Sequence, residues 1–214
     1  MTSHLGWLAY AAGFIVGSLS VMVSERTAGE LQLLRPAGAR PVAYGAVSVI
    51  VGLLYLLGAL RFGTTPLLLA WCWACSLGLS LILTDLAFRR LPFSLVAALA
   101  IGCFAAFLTA AIIDGQGSRL VFACEVAAAM FTVAALLQFA LPEHTGGGDT
   151  ALYGALALYL GWFSWTGLLQ GFLLASGLTA VVALVVAVRS GRARVRFPAG
   201  PSLIVGALAS VLIR

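Results

Sequence analysis

This sequence of 214 residues has no lysine, seven acids and two histidines, and only 9% of it is charged. An ordinary soluble domain carries about 25% charged residues. A chain so poor in charge cannot cover its own surface in water, which excludes a soluble globular protein. Twelve arginines supply all of the strong positive charge, for a net charge of +5. In a soluble chain that excess would raise nucleic acid as a partner. Here the arginines fall in short connections between apolar runs, so they read as markers of membrane topology, and no nucleic acid is expected. The four cysteines, Cys72, Cys75, Cys103 and Cys124, lie inside apolar runs and form no disulfide framework. Cys72-Trp-Ala-Cys75 has metal or redox spacing, but no second pair accompanies it, and packing is the better reading. No repeat, low-complexity tract or linker divides the chain, so a single domain over 1–214 is expected.

What fills the sequence is hydrocarbon: 62% of the residues are hydrophobic and the mean hydropathy is +1.09. Apolar runs free of charge, or nearly so, occupy roughly 5–24, 43–60, 66–86, 93–113, 119–141, 150–166, 168–188 and 198–213. At about 20 residues per crossing, they predict an all-α integral membrane protein, a polytopic bundle of about eight transmembrane helices. Thr150 to Val188 holds no formal charge over 39 residues. As one helix it would be about 59 Å long, nearly twice the hydrocarbon thickness, so a break is expected within Gly161 to Gly167. The first run lacks a basic leader and a small-residue cleavage site, and reads as a retained helix. Taking alternate connections, nine arginines (Arg26, Arg35, Arg40, Arg89, Arg90, Arg189, Arg192, Arg194 and Arg196) fall on one side, against Arg61, Arg119 and Arg214 on the other. The positive-inside rule then puts the arginine-rich loops in the cytoplasm and both termini outside.

The acids carry the chemical information. Glu25, Glu30 and Glu143 fall in the arginine-rich connections, and Asp114 in an Asp-Gly-Gln-Gly turn, all suited to solvated positions. His4 and His144 likewise read as loop or terminal residues. Glu125, inside the fifth run, suggests a polar pairing or a cavity role. Asp85 ends the third run and Asp149 opens the sixth, which predicts both at one depth on one face. Two carboxyls at one level in a membrane are costly unless they face each other or a wet cavity. If close, they share a proton, so that one activates water while the other protonates the substrate. The alternative is a pair of boundary acids, one of them held by Arg89. Helix N-terminal polarity favours ionised Asp149, whereas Arg89 would favour ionised Asp85 if the helix ran on to Leu91.

Three segments in order carry a resemblance. Gly146-Gly147-Gly148-Asp149 matches the Gly-x-Gly-Asp signature of intramembrane aspartic proteases, and the helix from Thr150 to Gly161 continues as in the prepilin peptidases. Asp85-Leu-Ala-Phe-Arg-Arg-Leu91-Pro92 and Phe197-Pro198-Ala-Gly200-Pro201 resemble two further motifs of that family. The likeness covers about 66–214, the expected peptidase core. More faintly, Gly13-Phe-Ile-Val-Gly17-Ser18 resembles the family's first helix. The resemblance implies an aspartic endopeptidase of the bacterial inner membrane, cleaving the leader of type IV prepilins or pseudopilins at the cytoplasmic face. Asp85 and Asp149 would be its catalytic pair, with water the only co-reactant and no metal or organic cofactor. Gly146, Gly148 and Arg89 would shape the site, and Pro198, Gly200 and Pro201 would set the start of the last helix. The connection from Ser24 to Pro41 lacks the Cys-rich insertion of many members, which puts N-methyl transfer in doubt. Thr150 also stands where a lysine is common. The competing readings are a small proton-coupled transporter using the two Asp as a relay, an inactive pilus-assembly scaffold, and an intramembrane protease with other substrates.

Overall fold

The computed structural model describes residues 2–28, 39–89, 91–140, 146–190 and 200–213. Within them the chain forms eight helices: α1 (Thr2–Ala28), α2 (Ala39–Phe62), α3 (Pro66–Phe88), α4 (Phe93–Asp114), α5 (Gly117–Ala140), α6 (Gly147–Phe163), α7 (Trp165–Ser190) and α8 (Gly200–Leu212). Six of them are long and apolar enough to cross a membrane. α6 and α8 are shorter, at 17 and 13 residues, or about 26 and 20 Å at 1.5 Å per residue. Side chains such as Leu173 and Val188 are about three-quarters exposed. A surface with so much apolar area needs lipid as its solvent, and the protein is a multi-pass membrane protein.

Local signals set the helix ends. α3 starts with Pro66 in its first turn, behind an extended Thr65, where the missing N–H costs nothing. It stops at Arg89, which adopts the left-handed conformation (φ 51°) and donates its N–H to the Asp85 carbonyl. α4 follows Pro92 and stops at left-handed Gly115. The expected break in the long uncharged stretch falls on a single residue, Ser164, whose backbone is extended. Its hydroxyl accepts the N–H of Gly167 at 3.1 Å and caps α7. α1 runs on to Ala28, so Glu25 and Arg26 lie on a helix instead of in a connection. Glu30, Glu143, His144 and Pro198 lie outside the described residues.

α6 is the centre of the bundle. It packs on α4, α5, α7 and α8, and every residue from Gly154 to Trp162 is buried. A helix apolar on all sides has to be surrounded by others. α1 and α2 form a hairpin against α3. Close helix approach is visible at Gly17, where an added Cβ would lie 2.5 Å from Ser48 Cα. The neighbouring hydroxyls of Ser18 and Ser48 hydrogen-bond at 2.8 Å. Small residues and hydroxyl contacts hold membrane helices together where no hydrophobic force between them exists. The same logic ties α2 to α3 through Tyr55 Oη and Ser76 Oγ at 2.7 Å, and through the Trp71 indole N–H donated to the Leu54 carbonyl at 2.7 Å.

Candidate active site

The C-terminal end of α3, the N-terminal end of α4 and the N-terminal ends of α6 and α8 meet at one end of the bundle. Asp85 stands one turn before the end of α3 and is only 5% exposed. Its Oδ2 accepts the backbone N–H of Gly200, the first residue of α8, at 3.0 Å. Asp149 is the third residue of α6 and is half-buried. Its Oδ2 accepts the N–H of Gly146 at 3.4 Å, half of a capping box, since glycine has no side chain to return the bond. The charge of Asp149 reaches Asp85, so two carboxyls 64 positions apart in sequence share one electrostatic environment. Each is held by a glycine N–H at a helix start, where backbone dipoles complement negative charge.

Leu91, between α3 and α4, wedges these helix ends together. A Cβ on Gly148 would run into the Leu91 carbonyl oxygen, and one on Gly200 would lie 3.5 Å from Leu91 Cδ1 and 2.7 Å from Asp85 Oδ2. The two glycines are therefore needed for different contacts, and both contacts are internal to the chain. Gly146 and Gly147 are roomier. A Cβ on Gly146 would meet Asp149 Oδ2 at 3.5 Å, and one on Gly147 would meet Gln138 Nε2 at 3.8 Å.

Several expectations change against this geometry. α3 ends at Phe88, so Arg89 is not a helical i,i+4 partner of Asp85; its side chain is exposed. Gly200 does more than start a helix, because its N–H is bonded to Asp85. Pro201 lies in the first turn of α8. Glu125 is exposed on α5. Asp114 ends α4, exposed, and His4 is exposed on α1. Cys72, Cys75, Cys103 and Cys124 are free thiols, Cys75 and Cys103 buried.

Two further residues belong to the site. Tyr153, one turn after Asp149, is within reach of its charge and stacks on Phe172 of α7 with ring centroids 6.0 Å apart. Thr150 donates its hydroxyl to Gln138 Oε1 of α5 at 2.6 Å, tying the Asp149 turn to a neighbouring helix. Tyr153 could have been found from its i+4 spacing to Asp149. Gln138 gives no such signal, because only folding brings α5 beside it. An apolar groove of about 270 Å³ lies between α4, α5 and α6, lined among others by Val96, Ala100, Phe131, Ala151 and Leu158. At about 100° per residue, Ala151 stands about 200° around α6 from Asp149. The groove therefore opens away from the carboxyl pair.

Chemically, the arrangement offers two carboxyls at one end of the bundle, each with a backbone donor on one oxygen. Such a pair can bind water between an acid and a base form. No protein-family model matches this chain, and no curated protein or solved structure matches it.

Proposed function

We propose that this protein is a membrane aspartic endopeptidase of the prepilin peptidase type. In this reading it cleaves the N-terminal leader of type IV prepilin-like substrates at the cytoplasmic face of a bacterial inner membrane. The observation that carries it is the convergence of Asp85 and Asp149, each bonded to a glycine N–H and each contributed by a motif that resembles that family. In the reaction one carboxylate takes a proton from water, and the resulting hydroxide attacks the scissile carbonyl. The other, protonated, carboxyl donates to the carbonyl oxygen and the proton then passes to the leaving amine. The glycine N–H groups of Gly200 and Gly146 hold the two oxygens that do not have to move. Arginine bias sets the orientation: the α3–α4 connection and the start of α6 face the cytoplasm, which puts the pair where a leader would emerge. A transporter relay is less favoured because the two Asp lie at one end of the bundle instead of at a helix break near the midplane.

The test is leader cleavage of a co-expressed prepilin, read as a mass shift, by wild type, Asp85→Asn and Asp149→Asn. Wild type should cleave, and each variant should lose at least about 100-fold in rate, the scale of general acid–base catalysis, while still inserting in the membrane. Normal cleavage by either variant removes the pair from catalysis. Failure of wild type on several prepilins moves the transporter and scaffold readings forward.

A further inference from the structure

Most donors near the two carboxyls are already committed. The N–H groups of Gly200 and Gly146 are given to Asp85 and Asp149. The Thr84 hydroxyl, beside Asp85, is donated to the Leu81 carbonyl at 3.0 Å. That of Thr150, beside Asp149, goes to Gln138 Oε1 at 2.6 Å. The Gln138 amide nitrogen lies beside Gly147, about 160° around α6 from Asp149. Tyr153 differs from all of these, because its hydroxyl has no hydrogen-bond partner among the described residues.

Helix geometry places that hydroxyl. Tyr153 follows Asp149 by four residues, about 6 Å along the axis of α6 and about 40° around it. Side chains on a helix lean toward its N-terminus, so an aromatic ring covers the turn before its own. The turn before Tyr153 carries Asp149, whose charge reaches the tyrosine. The ring is half-buried and stacks on Phe172 of α7, with centroids 6.0 Å and planes 22° apart. A ring held in this way is oriented before any substrate arrives, and its hydroxyl loses little freedom on binding.

We propose that Tyr153 is a further catalytic residue, whose hydroxyl donates to the scissile carbonyl oxygen of the substrate beside Asp149. The assignment rests on the peptidase reading and adds a role to it. A carbonyl oxygen accepts two hydrogen bonds, and the protonated carboxyl of the pair supplies one. Attack by water builds negative charge on this oxygen, and the bond from the phenol strengthens as it does. Donors aimed at charge that develops in the transition state speed the chemical step and leave substrate binding nearly unchanged. The phenol keeps its own proton throughout. It also brings no cation to the pair, which would hold both carboxyls ionised.

The full-length protein in lipid bilayers, acting on a prepilin substrate, gives kcat and KM for wild type and Tyr153→Phe. The variant keeps the ring and its stack on Phe172 and removes only the hydroxyl. Expected is a fall in kcat of about 100-fold, the scale of one lost transition-state donor. KM should stay within about threefold of wild type, and the thermal-unfolding midpoint should not fall. Tyr153→Phe with wild-type kcat overturns the proposal. So does a loss confined to KM, or one accompanied by a lower midpoint, since either makes the residue a binding or packing group. In each of these cases wild type cleaves and the carboxyl pair stands. Failure of the peptidase reading looks different: wild type leaves prepilins uncut, and the tyrosine assignment falls with it.

Discussion

A methyl group at Gly200 would stand 2.7 Å from Asp85 Oδ2, beside the N–H bond that holds this oxygen. Gly200→Ala is therefore expected to push the carboxyl out of place and cut cleavage by about 100-fold, the scale on which a displacement of about 1 Å acts. Gly146→Ala meets nothing closer than 3.5 Å and adopts a φ of −95°, open to any residue. It should retain cleavage within a few-fold of wild type. Comparing the two variants in the mass-shift assay separates the glycine that geometry needs from the one that only belongs to the motif. Gly148→Ala is a different case, because its Cβ meets the backbone of Leu91. Overpacking of that kind costs about 1–3 kcal/mol, so this variant should unfold earlier as well as cleave less, which a thermal-unfolding measurement in detergent would register.

Among the elements, α6 carries an internal conflict. Tyr159 Oη and Trp162 Nε1 are buried with no hydrogen-bond partner among the described residues. Their rings lie against Phe107 of α4, with Trp162 stacked at 4.9 Å and Tyr159 at 6.1 Å. A buried unpaired hydroxyl costs about 1–3 kcal/mol, so Tyr159→Phe should be neutral or stabilising, with a higher unfolding midpoint and unchanged cleavage. A lower midpoint would mean that the hydroxyl has a partner.

For the whole molecule, arginine bias predicts the orientation: a cysteine introduced at Gln116, between α4 and α5, should be labelled from outside the cell by an impermeant thiol reagent. One at Phe93, where α4 begins, should be protected. The opposite pattern would invert the protein and put the pair on the outer face. Sequence alone determined the membrane class, the approximate positions of the helices and the break near Ser164, because charge scarcity and apolar run length are properties of a stretch of chain. It also singled out Asp85 and Asp149 as a pair, since an acid at the end of an apolar run is conspicuous one residue at a time. Tertiary structure decided the rest. The bond from Gly200 to Asp85 crosses 115 positions, and the wedge of Leu91 against Gly148 depends on which helices become neighbours. The outward direction of Glu125 had no legible sign in the sequence. Apolar residues stand on every side of α5, and only the packing of α6 and α4 against one side of it defines the side that is left bare.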